Sequence, residues 1–396
     1  MKKRLLFVME TLRIGGAEKS LVTLLSQLDY SKYDVDLVLF QHKGEFLTLL
    51  PKEVRVLNNS EEFNSFTLNP RESIRELIKR KKFKLLPYKF LEITNIIFYK
   101  FIRKKEYIGW NFIKKSIEPL QTEDDVAIGF LEKRSIYFTV DRVKAKKKVG
   151  WIHIDYEKIE HNHKMDNTYF EYLDNIVTVS EHCKEVLVKE FPRYEDKILY
   201  IQNIISPNLI NNMANDKINE IDLFENNIVL ATVCRLTVQK GLDLAVECCE
   251  QLVKKGFKFK WILVGEGSER EKLQNMIKEK NLEDTFILMG SRSNPYPYMK
   301  MCDIYVQPSR WEGFGITVAE AKVLNKPIVV SNIPEFAEQI EDNKTGFIYK
   351  DSNEMVNKIG QLITDSSLKE EFEKNLKKIN MNNSDELKKF EKILEG

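Results

Sequence analysis

At 396 residues, with 43% hydrophobic and 31% charged side chains, the chain is too apolar for global disorder and long enough for two domains. Its 62 Lys and Arg against 60 Asp and Glu leave a net charge of +2, which excludes the general basic excess of a nucleic-acid binder. The balance is uneven: residues 71–120 hold 14 Lys or Arg and 5 Asp or Glu, so one local basic block is expected to meet an anionic surface. The apolar run Leu5 to Met9 behind Lys2, Lys3 and Arg4 is too short for a secretory leader. No stretch approaches the ~20 apolar residues that span a bilayer. The five cysteines show no CxxC spacing, and reduced thiols in a cytoplasmic setting are expected.

In chain order, the first half alternates strand and helix. Short apolar runs at Arg4–Met9, Val35–Phe40 and Val54–Leu57 read as strands, with a helix from Gly16 to Leu28 after the first. Beyond the basic block come Val126–Phe130, Lys148–Ile152 and Ile176–Ser180, the last running into a helix at Glu181–Glu190. The second half repeats the rhythm: Ile228–Val233, a helix at Gly241–Val253, then Trp261–Val264, Thr285–Met289, Ile304–Gln307 and Ile328–Ser331. Strands alternating with helices imply parallel sheets with right-handed crossovers. The fold expected is therefore α/β, with two doubly wound, Rossmann-like domains. Domain 1–205 is expected to carry a basic amphipathic insertion at 71–120, with 206–227 as linker and 228–380 as the second domain. A last helix, 384–396, has an apolar stripe at Leu387, Phe390, Ile393 and Leu394 that needs a packing partner, with Ser384 as its expected N-cap.

Three glycine-bearing turns follow strands. Gly15-Gly16 lies between a strand and a helix, where backbone N–H groups can cradle an anion; a plain tight turn fits equally. A phosphate-loop reading fails because Glu18 stands where that motif needs Gly before Lys19-Ser20. Gly265-Glu266-Gly267 lacks the third glycine of the dinucleotide fingerprint, Arg270 standing there, so a nicotinamide cofactor is disfavoured. The third turn, 311–321, reads WEGFGITVAEA. Gly313 and Gly315 admit close backbone approach, a helix starts near Gly315, and Glu312 and Glu320 share its rim. N–H groups suit phosphate oxygens and carboxylates suit sugar hydroxyls. Arg235 and Lys240 follow strand Ile228–Val233, at the sheet edge where ligands of doubly wound folds gather, and two cations there can hold a diphosphate. His153, with Asp155, His161 and His163 nearby, matches no trusted metal spacing; His153 reads as a polar crevice residue, the other two histidines as surface groups, and no metal site is expected.

These pieces together resemble the family 4 retaining glycosyltransferases, of GT-B fold, of the kind that builds bacterial capsule, exopolysaccharide or lipid-linked glycans. The matching segments are GGAEKS (15–20), WIH (151–153), VSEHCK (179–184), CRLTVQKG (234–241), VGEGSER (264–270), ILMG (287–290) and EGFGITVAEA (312–321). Cys234 departs from the glycine that the family commonly has there. The resemblance implies two Rossmann-like domains facing across a cleft, with the final helix crossing back onto the first domain. It implies transfer of a hexose or N-acetylhexosamine from a nucleotide sugar, UDP by family frequency, to a glycan or lipid-linked acceptor. Arg235, Lys240, Glu312 and His153 would be catalytic. Gly15, Gly16, Gly265, Met289, Gly290, Phe314, Gly315, Ile316, Thr317 and Glu320 would bind the donor, Glu320 holding the ribose and the N–H groups of Gly16, Ile316 and Thr317 the diphosphate. No cofactor or metal is required, because fixed cations and helix N-termini can stabilise the leaving diphosphate. A catalytically silent partner subunit, a phosphorylase and a sugar-nucleotide epimerase of the same fold remain alternatives.

In the basic block, Leu86, Phe90, Ile93, Ile97 and Phe101 recur at helical spacing beside Lys89, Lys100, Arg103, Lys104 and Lys105, with Tyr107 and Trp110 beyond. This is the pattern of an interfacial helix on an anionic membrane and of acceptor contact; a helix with its stripe in the domain core is the alternative.

Overall fold

The structure is a computed structural model that describes residues 2–98, 109–158, 161–218, 227–381 and 384–395. Lys100, Phe101, Arg103, Lys104, Lys105 and Tyr107 of the expected interfacial helix lie outside the described residues. The chain forms two compact units, Met1–Ile204 with Ser384–Gly396 and Ile205–Asn383.

The first unit is built on a parallel sheet of β1 (Lys3–Met9), β2 (Tyr33–Leu39), β3 (Arg55–Leu57), β4 (Glu123–Gly129), β5 (Lys144–Ile152), β6 (Asn175–Thr178) and β7 (Ile198–Tyr200), in the order β3-β2-β1-β4-β5-β6-β7. Leu5 pairs with Val35 on one side and Val126 on the other. Helices cover both faces, which is why Leu5 to Met9 is an unbroken apolar run, buried throughout, rather than an alternating one. The order reverses between β1 and β4, so their C-terminal loops diverge and leave a crevice there. The Ser384–Glu395 helix belongs to this unit: Phe390 packs 6.3 Å from the Phe7 ring and 5.8 Å from Trp151, and Lys3 donates to the Leu394 carbonyl at 2.8 Å. Ser384 is its first helical residue rather than a cap.

The second unit holds β8 (Ile228–Val233), β9 (Phe259–Val264), β10 (Phe286–Gly290), β11 (Ile304–Gln307), β12 (Ile328–Ser331) and β13 (Phe347–Tyr349), parallel, in the order β10-β9-β8-β11-β12-β13. Its reversal falls between β8 and β11. β7 and β13 are short edge strands without enough apolar length to stand out in the sequence.

Two expectations need correction. The expected linker contains a helix, Pro207–Met213, with Ser206 capping it and Ile210 buried in the second unit. A proline at the first helical position and a serine before it are start signals that the polar composition masked. The basic block is also not a simple surface helix. On the Leu86–Phe98 helix Lys89 is 4% exposed and Glu92 5%, paired at 2.7 Å, and Lys89 donates to the Phe66 carbonyl at 2.8 Å. Lys89 is therefore no lipid-facing cation. Trp110 is likewise buried, its indole N–H bonded to Asp141 at 2.8 Å. All five cysteines are free thiols.

Candidate functional site

In the second unit the loops after β8, β9, β10 and β11 emerge at one edge of the sheet, and the first and last of these flank the strand-order reversal. After β8 the chain turns through Arg235, which is exposed, to Lys240. Gly241 then takes a left-handed conformation (φ 61°), and a Cβ there would sit 2.1 Å from the Pro308 carbonyl oxygen. Only glycine admits the β11 loop this close to the β8 loop. Arg310 staples the same two loops with a bidentate pair to Asp243 (2.8 and 2.7 Å) and a bond to the Val238 carbonyl at 2.9 Å. The Arg310 bond holds the Asp243 carboxyl below its ordinary range.

This bracing brings Lys240 and Glu312, 72 positions apart, into contact. The ammonium lies 2.7 Å from both carboxylate oxygens, and both side chains are largely buried. A relay of neutral groups holds the carboxylate from behind. Tyr305 donates to Gln307 at 3.0 Å, Gln307 to Ser309 at 2.9 Å, and Ser309 to Glu312 Oε1 at 2.6 Å. The sequence pattern gave Glu312 and Lys240 but not Tyr305, Gln307 or Ser309. Their alternate positions on β11 and its exit put them on one side of the strand, the one available clue.

Gly315 has φ 80° and precedes the helix Ile316–Val323, so the first N–H groups of that helix, on Ile316 and Thr317, open this rim. Phe314 is buried beside it. Glu320 is 1% exposed and accepts a hydrogen bond from Tyr296 at 3.1 Å. Burial, with Glu320 beside it, pushes the Tyr296 hydroxyl far above its ordinary range, so that group stays a donor. Met289 is buried at the end of β10, and Gly290 (φ 72°) turns the chain out of it. At Gly265 a Cβ would lie 1.8 Å from the Cys234 carbonyl oxygen. The close approach in this loop pair is thus made on the Gly265 side, which explains how a cysteine is accommodated at 234. Burial raises the Cys234 thiol to about 12, leaving it protonated.

In the first unit, Gly15 is extended (φ −166°) and precedes the helix Gly16–Ser26 after β1. His153 follows β5. Its ring lies 4.8 Å from Phe130 and is stacked 5.9 Å from Trp151, and burial lowers its pKa to about 3. His153 is therefore a neutral imidazole at physiological pH. Its backbone N–H donates to Glu132 at 3.1 Å, and burial raises that carboxyl. Glu132, after β4, was not singled out in the sequence, where it reads as a loop acid. The His161 ring lies tilted 4.1 Å from Tyr156, and His163 stacks 4.4 Å from Phe191.

Residues 214–379 match the family model described as glycosyl transferases group 1. An uncharacterized glycosyltransferase of Methanocaldococcus jannaschii is 27% identical over 163 residues, covering 41% of this chain and 40% of that protein. The poly(ribitol-phosphate) alpha-N-acetylglucosaminyltransferase of Staphylococcus aureus is 33% identical over 152 residues, 38% of this chain and 31% of that protein. The O-antigen biosynthesis glycosyltransferase WclY of Escherichia coli is 31% identical over 163 residues, 40% of this chain and 45% of that protein. The chain thus spans less than half the length of these curated relatives. Among solved structures, a variant of S. aureus TarM in complex with UDP, alpha-GlcNAc-glycerol and fondaparinux superposes with TM-score 0.70 at 17% identity, over 100% of both chains. Anabaena HepE in complex with UDP-glucose gives 0.71 at 18% identity, over 99% of both. The two doubly wound units are those of the GT-B fold.

Proposed function

We propose that this chain, whose residues 214–379 belong to the glycosyl transferases group 1 family, transfers a hexose or N-acetylhexosamine from a nucleoside diphosphate sugar to a glycan or lipid-linked acceptor, with retention and without a divalent metal. The observation that carries the reading is the Lys240–Glu312 pair, held by Ser309 beside the first N–H groups of the Ile316–Val323 helix at the strand-order reversal. Departure of a nucleoside diphosphate puts negative charge on its phosphoryl oxygens while the sugar becomes oxocarbenium-like. Arg235, Lys240 and the amide groups of Ile316 and Thr317 are cationic or donor groups for those oxygens. Because Lys240 is already anchored, little reorganisation is needed as charge develops. Glu312, once Lys240 and Ser309 are served, still has lone pairs for hexose hydroxyls, and Glu320 with Tyr296 offers an acceptor and a donor for ribose. A departing phosphoryl oxygen can take the acceptor's proton as the acceptor attacks from the same face, which gives retention.

The solved likenesses with UDP and UDP-glucose support a uridine donor, and the poly(ribitol-phosphate) and O-antigen relatives support a cell-surface glycan as product. This reading places the enzyme in the cytoplasm, resting on the inner membrane face. No helix among the described residues is long and apolar enough to cross a membrane. Exposed Lys81 and Lys84 beside exposed Phe83 favour contact with anionic headgroups instead.

Hydrolysis of a panel of UDP-, GDP- and ADP-sugars, with and without EDTA, tests the proposal. Slow release of free sugar from one donor, unaffected by EDTA, is expected. Lys240→Ala or Arg235→Ala should each lower that rate a hundredfold or more, about 3 kcal/mol for a lost oxyanion donor. Turnover that EDTA abolishes, or near-normal rates in both variants, refutes it. No hydrolysis of any donor favours the silent subunit, and release only with inorganic phosphate favours a phosphorylase.

A further inference from the structure

Gln307, the last residue of β11, is wholly buried in the second unit behind the Lys240–Glu312 pair. A side-chain amide carries two N–H groups and two lone pairs, and here all four are used. Its carbonyl accepts from Tyr305 at 3.0 Å and from Thr317 at 3.4 Å. One N–H donates to Ser309 at 2.9 Å, and the other serves the Cys234 sulfur. These partners come from three stretches of chain: the exit of β8, β11 with its own exit, and the first turn of the Ile316–Val323 helix.

The direction of each bond follows from the end of the chain of groups. The Glu312 carboxylate, in contact with the Lys240 ammonium, only accepts. Ser309 must therefore give its single proton to Glu312, at 2.6 Å, and can take only an N–H from Gln307. That orients the amide with its oxygen toward Tyr305 and Thr317, whose hydroxyls donate to it. Burial pushes the Tyr305 hydroxyl far above its ordinary range and the Cys234 thiol to about 12, so neither loses its proton near neutral pH. A leucine of similar volume would make none of these bonds, and a carboxylate would reverse the one to Ser309. Replacing such a set by apolar groups of the same shape is close to neutral for stability. Packing therefore gives no reason for it, whereas holding one arrangement of polar groups does.

We propose that Gln307 is a positioning residue for sugar transfer: its amide fixes Ser309 as a donor to Glu312, and Glu312 so held keeps Lys240 in place. Being wholly buried, Gln307 acts on a bound donor only through Ser309 and Glu312. The inference rests on the reading of this site as the place of a nucleotide sugar; the directions of the hydrogen bonds do not.

The test uses the full chain and the near-isosteric variant Gln307→Glu. Burial and the nearby Glu312 carboxylate raise the pKa of the introduced carboxyl. Lys240 and Arg235 are the cations around this cluster, Glu312 and Glu320 its acids, and Tyr305 and Cys234 its neutral titratable members. While protonated, the introduced carboxyl accepts from Tyr305 and donates to Ser309, as the amide does. Once ionised it only accepts, so Ser309 turns its proton to it and away from Glu312. Donor hydrolysis by Gln307→Glu should therefore approach the wild-type rate at pH 5.5 and fall at least about tenfold below it by pH 9. Gln307→Leu should lose rate equally at every pH. Crystal structures of unliganded Gln307→Glu at the same two pH values should show Ser309 within hydrogen-bond distance of Glu312 at the lower pH only. Ser309→Ala, which removes the donor without adding a charge, should lower kcat by a similar factor and serves if Gln307→Glu does not fold. The inference is overturned if Gln307→Glu follows the wild-type pH profile or is depressed equally at every pH, if Ser309 stays bonded to Glu312 at pH 9, or if Ser309→Ala keeps the wild-type rate. A wild type that turns over no donor, with the Ser309 movement present in the crystals, would remove the enzymatic reading alone; turnover without that movement would remove this inference alone.

Discussion

Lys240 shows how much a single charged residue owes to its neighbours. A lysine in a glycine-containing loop is ordinary in a sequence; here it is an anchored, largely buried cation because Glu312 fixes it and Ser309 and Gln307 fix Glu312. His153 is the opposite case, a residue whose charge the fold removes. Its folded pKa is about 3 against an ordinary 6.5. Between those values the unfolded chain binds more protons than the native one, so stability must rise with pH across that window and fall as pH drops below about 6.5. The unfolding free energy from urea titrations should therefore decline from pH 7 to pH 4, by up to roughly 3 kcal/mol from this residue. His153→Gln should flatten that slope. An unchanged slope in the variant would show that the ring is not held neutral. Because the imidazole stays uncharged, it can serve a sugar hydroxyl but not act as a cation.

At the scale of elements, the Leu86–Phe98 helix departs furthest from what its sequence suggests. Phe90 and Ile97 do lie on the solvent side, as an interfacial stripe would, but Leu86 packs on the core and Lys89 turns inward. A lysine and a glutamate three positions apart normally form a solvated pair. Here the Phe66 and Leu68 carbonyls offer Lys89 partners that no local pattern reveals. Lys89→Met alone should destabilise the protein by about 3–5 kcal/mol by stranding the Glu92 charge, whereas Lys89→Met with Glu92→Leu should recover most of it. Thermal or urea unfolding of the two variants checks this; a double variant no better than the single one would mean that the pair itself stabilises the fold. The Ile316–Val323 helix behaved as its sequence indicates, since Gly315 before it and Asn325 after it, at φ 54°, are chemically suited to their left-handed turns.

For the whole molecule, the chain leaves the first unit at Ile204 and returns to it at Ser384. The last helix buries Phe390, Ile393 and Leu394, and each fully buried side chain of this size contributes about 1.5–3 kcal/mol. Removing residues 384–396 should lower the melting temperature of the first unit by more than 10 °C, given 2–4 °C per kcal/mol for a domain of this size. The transition of the second unit should stay put. A single unshifted transition in scanning calorimetry would contradict the assignment of this helix to the first unit.

The sequence by itself determined the two runs of alternating strands and helices, and with them the sheet edges that carry Arg235, Lys240, Glu312, Glu320 and His153. Periodicity and glycine chemistry act over a few residues, and a parallel sheet turns that local order into position. Tertiary structure alone decided that Lys240 meets Glu312, that Tyr305, Gln307 and Ser309 stand behind them, that His153 is neutral, and that Lys89 and Glu92 are buried while their apolar neighbours face solvent. Each of these depends on groups distant along the chain, and burial is a property of what surrounds a residue, which no local stretch of sequence contains.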